Sequence, residues 1–323
     1  MLITPAEKKL KPILFVAFAA VTWLAACTQA PDLSAVNVER GKPLQRYDVV
    51  QSLTSNDEII VAGTQNGAVL LSTDFGKTWR REQLGPTSLT GLSTCPDGSF
   101  IGIDFYRQVW SADAKGGNWK PSKIEKPRTP LAVACDKHGG WWVAGTRATI
   151  AVSTDRGATW KTSDLAEDAQ LTTLQFVDDT YGFATGEFGL VAVTSDAGAT
   201  WTRAAKMPDE FYPYAALFVS REEGWASGLA GQILHTKDGG KTWIKQVNAT
   251  QAALYRLFLH NGVPYGTGAN GVVARLEGDA WQSVAYADAV PVFLGAGVSV
   301  EKHATVLAGG PGGLLRQIST SAK

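Results

Sequence analysis

The sequence predicts an all-β protein: a single seven-bladed β-propeller with four-stranded blades, its ring closed by an N-terminal strand. Three observations carry this expectation. An eight-residue turn motif recurs at a fixed spacing. Strand-like apolar runs recur in step with it. The 323 residues include 34 Gly and 11 Trp, a composition of short strands and tight turns with no long amphipathic helical pattern.

The motif has four good copies: Ser72–Trp79 (STDFGKTW), Ser153–Trp160 (STDRGATW), Thr194–Trp201 (TSDAGATW) and Thr236–Trp243 (TKDGGKTW). Two weaker copies fill the gaps, Ser111–Trp119 with one extra residue and Leu276–Trp281. The six tryptophans Trp79, Trp119, Trp160, Trp201, Trp243 and Trp281 stand 40, 41, 41, 42 and 38 residues apart. A second landmark ends a strand-like run at Ala62-Gly63, Ala144-Gly145, Thr185-Gly186, Ser227-Gly228, Thr267-Gly268 and Ala308-Gly309, with Asp104 in the corresponding place of the second unit. Its intervals are 41, 41, 41, 42, 40 and 41. Seven units of this length match one four-stranded propeller blade each.

Each unit reads alike. In the fourth, Leu171 to Val177 is the inner strand A, Tyr181 to Thr185 strand B and Leu190 to Thr194 strand C, and Trp201 opens the outer strand D. The seventh unit ends at Lys323 before a fourth strand can form. An open edge is an aggregation hazard. Ala35 to Arg40, with its alternating character, is expected to complete the last blade.

The first segment reads as an address. Lys8, Lys9 and Lys11 precede an apolar run of twelve residues, Ile13 to Leu24, which is short for a membrane span. Leu24-Ala25-Ala26-Cys27 resembles the lipobox of bacterial lipoproteins, which implies cleavage before Cys27 and acylation of its thiol. The alternative is an ordinary signal peptide with an incidental cysteine. Thr28 is not the aspartate that retains many lipoproteins in the inner membrane, so the resemblance points to the outer membrane. The expected division is a signal peptide over 1–26, a tether over 27–34 and the propeller over 35–323. Removing 1–26 leaves 27 basic and 29 acidic residues, a net charge of −2, with no overall attraction to nucleic acid. The mature chain is expected to be a monomer that meets the membrane only through its lipid.

The repeats resemble the Asp-box, or bacterial neuraminidase repeat. The spacing and the wording of units four and five (FVDDTYGFATGEFGLVAVTSDAGATW and FVSREEGWASGLAGQILHTKDGGKTW) are most similar to the photosystem II stability and assembly factor family. The resemblance covers roughly Tyr47 to Ile318. Unit two departs at Asp104 and at its box, and units six and seven lack intact boxes. The resemblance implies a propeller that binds protein partners through an arginine-bearing surface.

The box residues Asp74, Trp79, Asp155, Trp160, Asp196, Trp201, Asp238 and Trp243 invite a catalytic reading, but turn chemistry explains them. A short carboxylate accepts local backbone N–H groups, glycine permits positive φ, and tryptophan packs between blades. The box lies between strands C and D, on one face with the A–B loops. The B–C and D–A loops occupy the other face.

On that other face Arg107 and Arg147 occupy B–C loops of adjacent units, and Arg128, with Lys123 and Lys126, lies in the D–A connection between them. Tyr106, Phe188, Phe211, Tyr212 and Tyr214 can enlarge the patch. Arginine's planar fork suits carboxylates and peptide carbonyls, and interfaces are enriched in Arg and aromatics. Arg107, Arg128, Arg147, Tyr106, Phe188 and Tyr212 are therefore the expected partner-binding residues. The bland alternative is a solvated loop face.

No catalytic, cofactor or metal site is expected. His138, His235, His260 and His303 lie in separate units, and the sequence has no GxSxG, phosphate-loop or HExxH motif. Cys95 and Cys135 are either a disulfide or two buried thiols. The leading functional expectation is a non-enzymatic envelope scaffold that assembles or stabilises a membrane-associated complex. Asp boxes also mark sialidases, but the Arg-Ile-Pro motif of that family is missing and its propellers have six blades. A glycan-binding propeller without turnover is the third expectation.

Overall fold

A computed structural model describes residues 32–320. The chain divides into two units, Met1–Lys42 and Pro43–Lys323. In the first, Ser34–Arg40 form a short helix, α1. This corrects the expectation of a closing strand at Ala35–Arg40. The Asp32 carboxylate accepts the Ser34 backbone N–H at 2.9 Å and so opens a helical turn. The two residues of the alternating pattern, Val36 and Val38, are both exposed, so the alternation reports no buried face.

The second unit is an all-β propeller built from antiparallel sheets. Its first two repeats are β1 (Val50–Ser55), β2 (Ile60–Thr64), β3 (Ala68–Ser72) and β4 (Arg80–Gln83), then β5 (Leu89–Thr94), β6 (Phe100–Asp104), β7 (Gln108–Ala112) and β8 (Lys120–Lys123). The next two are β9 (Pro130–Cys135), β10 (Trp141–Gly145), β11 (Thr149–Ser153) and β12 (Lys161–Asp164), then β13 (Leu171–Phe176), β14 (Gly182–Gly186), β15 (Val191–Thr194) and β16 (Thr202–Arg203). These make four four-stranded sheets in simple meander order. Then follow β17 (Pro213–Phe218), β18 (Gly224–Gly228), β19 (Ile233–Thr236), β20 (Ile244–Asn248), β21 (Leu254–His260), β22 (Val263–Gly268), β23 (Val273–Glu277) and β24 (Ala280–Ser283). These eight form one sheet, because β20 and β24 run parallel through Val247–Ala280 and Asn248–Trp281. The chain ends with a three-stranded sheet, β25 (Ala296–Val300), β26 (Thr305–Gly309) and β27 (Leu315–Ser319).

The second strand of each repeat is covered on both faces, and β2, β6, β10, β14 and β18 are buried along their whole length. The outer strands β4, β8 and β12 are mostly exposed. The core is therefore not one mass but a series of clusters, each shared by adjacent repeats. Trp142 and Ile150 of the third pack with Leu171, Phe176 and Leu190 of the fourth. Leu217, Trp225 and Ile233 of the fifth pack with Leu254, Leu257 and Trp281 of the sixth. The last cluster joins the ends of the chain: Val50, Leu53, Ile60 and Leu70 pack with Ala296, Val300 and Leu307.

Polar bonds reinforce that junction. Val50 N–H donates to Gly310 O at 3.0 Å, and Gly313 N–H donates to Asp48 O at 2.8 Å. Asp48 is fully buried and pairs with Arg81, whose Nη1 and Nη2 reach its two carboxylate oxygens at 2.7 and 3.1 Å. Arg81 Nη1 also donates to Pro43 O at 3.2 Å, and Gln45 N–H donates to Asp48 Oδ2 at 2.8 Å. The segment 43–50 is thus clamped between β4 and the turn that precedes β27.

One landmark shifts. Val50 pairs with Thr64, as Leu171 pairs with Gly186, so Thr64 rather than Gly63 holds the strand-end position in the first repeat. Its hydroxyl donates to Ala68 O and accepts from Ala68 N–H, both at 3.1 Å, and holds the turn there.

Candidate functional site

The box carboxylates are consumed by their own turns. Asp155 Oδ1 accepts Thr159 N–H at 2.8 Å, and its Oδ2 accepts the Thr159 hydroxyl at 2.5 Å. The Ser153 hydroxyl donates to Asp155 Oδ1 and accepts Gly157 N–H. Asp74, Asp196 and Asp238 repeat this pattern with Thr78, Thr200 and Thr242. These bonds, the threonine hydroxyl first, hold Asp74, Asp155 and Asp238 down to about 2, and they lower Asp196 likewise. A carboxylate so engaged is a poor general acid at neutral pH.

The turns also seat one repeat on the one before. Gly198 has φ +80, and a Cβ there would lie 2.0 Å from the Trp142 ring of the preceding repeat. Trp79, Trp160, Trp201 and Trp243 all pack in clusters between repeats. Trp79 and Trp243 Nε1 donate to the box glycine carbonyls at 3.2 and 3.1 Å.

In the second repeat the roles move. Asp113 accepts Lys115 and Gly117 N–H and the Asn118 amide in place of the missing box. Asp104 is fully buried. Its Oδ1 accepts Tyr106 and Gln108 N–H, and its Oδ2 accepts the Thr87 hydroxyl and Trp110 Nε1. Three of the four partners lie within six residues, so Asp104 shapes the turn that carries Tyr106 and Arg107 and ties it to Thr87 before β5.

That turn and its neighbour lie on the face opposite the boxes. Arg107 O accepts Ile124 N–H at 2.9 Å, which ties the second repeat's B–C turn to the connection between β8 and β9. At the far end of the connection, Thr129 O accepts Thr146 N–H, and Thr129 N–H donates to Thr146 Oγ1. Arg128 therefore sits on a bonded path between the turns of Arg107 and Arg147. Arg128 and Arg147 are exposed and Arg107 is half-buried. The two turn arginines do not hold equivalent positions. Arg107, φ 64, takes the place that Ala148 fills in the third repeat and Gly189 in the fourth, whereas Arg147, φ 58, precedes that place. Phe188, φ 57, is the counterpart of Arg147.

Tyr106 is 67% and Phe188 49% exposed, large apolar surface for a loop tip. Phe105 and Leu229, which sequence reasoning did not single out, are exposed beside them in the same class of turn. Phe211 does not join the patch. It is buried with Met207, Phe183 and Phe218. Tyr212 is half-buried, and its phenol is pushed upward by desolvation, then by the Glu187 and Tyr214 charges. From Tyr212 an edge-to-face chain runs inward to Tyr214 and Tyr255, with centroids 6.0 and 5.3 Å apart.

The inner strands surround a channel. Gln51, Thr90, Leu131, Thr172, Tyr214 and Tyr255, from six successive repeats, line its mouth on the B–C and D–A face. Farther in, a cavity of about 430 Å³ is walled by β5, β9, β13, β17 and β21. Cys95 and Cys135 are joined by a disulfide at the far ends of β5 and β9, with Cα atoms 5.0 Å apart. Cys135 aligns with Thr94, and Cys95 lies one residue beyond that place, where adjacent inner strands come close enough for the pair to bond.

The histidines stay scattered. His235 Nε2 meets Glu223 at 3.0 Å and its ring stacks on Trp225. His260 lies between the hydroxyls of Ser299 and Thr320. Among the described residues no three His, Cys, Asp or Glu side chains gather to hold a metal. Cys27 and the segment 1–26 lie outside the described residues.

Residues 111–204 and 158–254 match the family model described as photosynthesis system II assembly factor YCF48. The repeats within these bounds are similar to those of the photosystem II assembly factor family. The fold is similar to that of YCF48 from Cyanidioschyzon merolae, at 14% identity and TM-score 0.69, over 87% of this chain and 98% of that one. A YCF48 bound to a D1 peptide matches at 14% identity and TM-score 0.69, over 86% and 96%. Virginiamycin B lyase from Staphylococcus aureus, with quinupristin, matches at 12% identity and TM-score 0.72, over 85% and 96%. No curated protein sequence matches the chain. The YCF48-like match centres on the third to fifth repeats, where the boxes are intact, and the fold extends well beyond it.

Proposed function

We propose that this chain is a non-enzymatic, protein-binding assembly or stability factor for a membrane-associated complex. In this reading it is a monomeric seven-bladed propeller in the bacterial envelope, held to the outer membrane by a lipid on Cys27. The seven sequence units support the blade count, with β17–β20 and β21–β24 as separate blades that share one sheet. Clusters between repeats, the last joining β1–β3 to β25 and β26, support a closed ring. Closure then rests on the packing and hydrogen bonds of segment 43–50 rather than on a strand from residues 35–40.

One observation carries the functional reading: the loop face of a YCF48-like fold presents Arg107, Arg128 and Arg147 along one bonded connection, beside exposed Tyr106 and Phe188. Planar cations and aromatics are the groups that dominate protein interfaces. A YCF48 binds a D1 peptide, which supports a protein ligand for this face. The box aspartates, spent on turn bonds, give no support to glycosidase chemistry.

Crosslinking in intact cells followed by mass spectrometry tests this. The expected result is a recurrent envelope protein crosslinked through residues of the loop face. Robust hydrolysis of a sialoside or polysaccharide by the purified protein, with no recurrent protein crosslink, contradicts it.

A further inference from the structure

The channel holds a cation that no described residue pairs. A bulge at the start of β21 separates the paired residues Leu254 and Arg256, as one at the start of β5 separates Leu89 and Gly91. It turns two consecutive residues toward the channel mouth, Tyr255 and Arg256. The position of Arg256 is held by Ser52, Gly91, Ala132, Thr173 and Ala215 in the first five repeats. A guanidinium thus stands where the other repeats keep small side chains.

Arg256 is reachable by water inside the channel, yet protein surrounds it, and the loss of solvation lowers its pKa. Arginine remains charged under such conditions. No hydrogen bond or ion pair joins its side chain to another described residue, and no Asp or Glu lines the cavity. The phenol oxygens of Tyr214 and Tyr255 are likewise without a partner among the described residues, and the two rings stand 5.3 Å apart at 62°.

We propose that this channel mouth is a binding site for a small organic monoanion, a carboxylate carried on a flat apolar body. The guanidinium fork matches a carboxylate in two parallel bonds. The tyrosine rings and Leu131 supply the surface for the apolar body. The cavity behind the mouth, which Arg256, Tyr214 and Tyr255 also line, holds about 430 Å³, within the usual size of small-molecule sites. Arg256 is the only cationic side chain among its lining residues. One cation balances one negative charge, so a phosphate dianion would leave an uncompensated charge in the channel. The site is separate from the loop-face arginines and does not depend on their role.

Benzoate is the probe, titrated calorimetrically into the full-length protein in detergent. The expected result is one saturable site, weakened at least tenfold by Arg256→Met and less by Arg256→Lys, which keeps the charge and loses the fork. Benzyl alcohol, the neutral counterpart, should bind the unaltered protein at least tenfold more weakly, a comparison that needs no variant. Arg107→Glu with Arg147→Glu should leave benzoate binding unchanged. Equal binding of benzyl alcohol, equal binding by Arg256→Met, or no saturable binding up to about 10 mM benzoate overturns the proposal. Displacement of benzoate by equimolar inorganic phosphate overturns the assignment of ligand class.

Discussion

Arg81→Met is the sharpest test of how the ring closes. The substitution keeps most of the side chain's apolar length and removes its charge. Asp48 is fully buried, and Arg81 supplies two of its hydrogen bonds. With Arg81 gone, the carboxylate keeps the Gln45 N–H at 2.8 Å but has no cation. Breaking a buried pair on one side costs about 3–5 kcal/mol, because the remaining charge stays desolvated. In a domain of this size, about 2 °C of melting temperature is lost per kcal/mol, so a fall of roughly 6–10 °C is expected. Removing both partners, as Arg81→Met with Asp48→Asn, should recover much of the loss. The double-mutant cycle should then show a coupling of about 2 kcal/mol or more. Urea denaturation followed by tryptophan fluorescence measures all four proteins. A single Arg81→Met change below about 1 kcal/mol, or strictly additive losses, would refute the clamp.

Other outcomes follow from the same structure. Asp155→Ala should lower the melting temperature through loss of its turn bonds while leaving partner capture intact, checked by calorimetry and pull-down. Stability should fall on acidification in two stages. Burial lowers the pKa of His260 from 6.5, so the unfolded chain binds its proton first, and the stability this group contributes at neutral pH is lost as pH falls through the lowered value. The box aspartates follow the same sign between their ordinary value of 3.8 and about 2. Denaturation curves across pH check both, and His260→Gln should flatten only the upper stage. Cys27→Ser should abolish lipid attachment, and membrane fractionation with unchanged processing would contradict the anchor.

Much of the fold is legible in the sequence because each repeat solves its problem locally. The Ser153–Asp155–Gly157–Thr159 turn closes within seven residues, so the box and its period are written together. Closure is not legible, because residues 43–50 bond to Gly310 and Gly313 some 260 residues away. The alternation at Ala35–Arg40 misleads for a related reason: a period of two has meaning only where one face is buried, and Val36 and Val38 face solvent alike. Arg256 escapes a pattern-based reading because the bulge sets two neighbours on one side of the strand. The single signal was a lone large cation in a column of small residues, visible only once the strand starts are aligned. The loop-face arginines could be placed from the repeat alone, and so could their inequivalence, since Arg107 stands three residues past Asp104 and Arg147 two past Gly145. Asp104 and Thr64 replace the usual strand-end glycine and keep the turn by side-chain bonds.

The face that binds is the centre of the account, and a pair of charge reversals tests it most directly. Arg147 is exposed and Arg107 half-buried without a side-chain partner among the described residues, and substitutions at such surface turns usually change stability by less than about 0.5 kcal/mol, whereas an arginine hot spot costs about 2 kcal/mol or more. Co-purification from envelope extracts should therefore separate the two faces at equal melting temperature. Arg107→Glu with Arg147→Glu is predicted to abolish capture of the natural partner, and Lys77→Glu with Arg156→Glu on the box face to leave it intact. Loss of the partner by the box-face pair, with retention by the loop-face pair, would contradict the account.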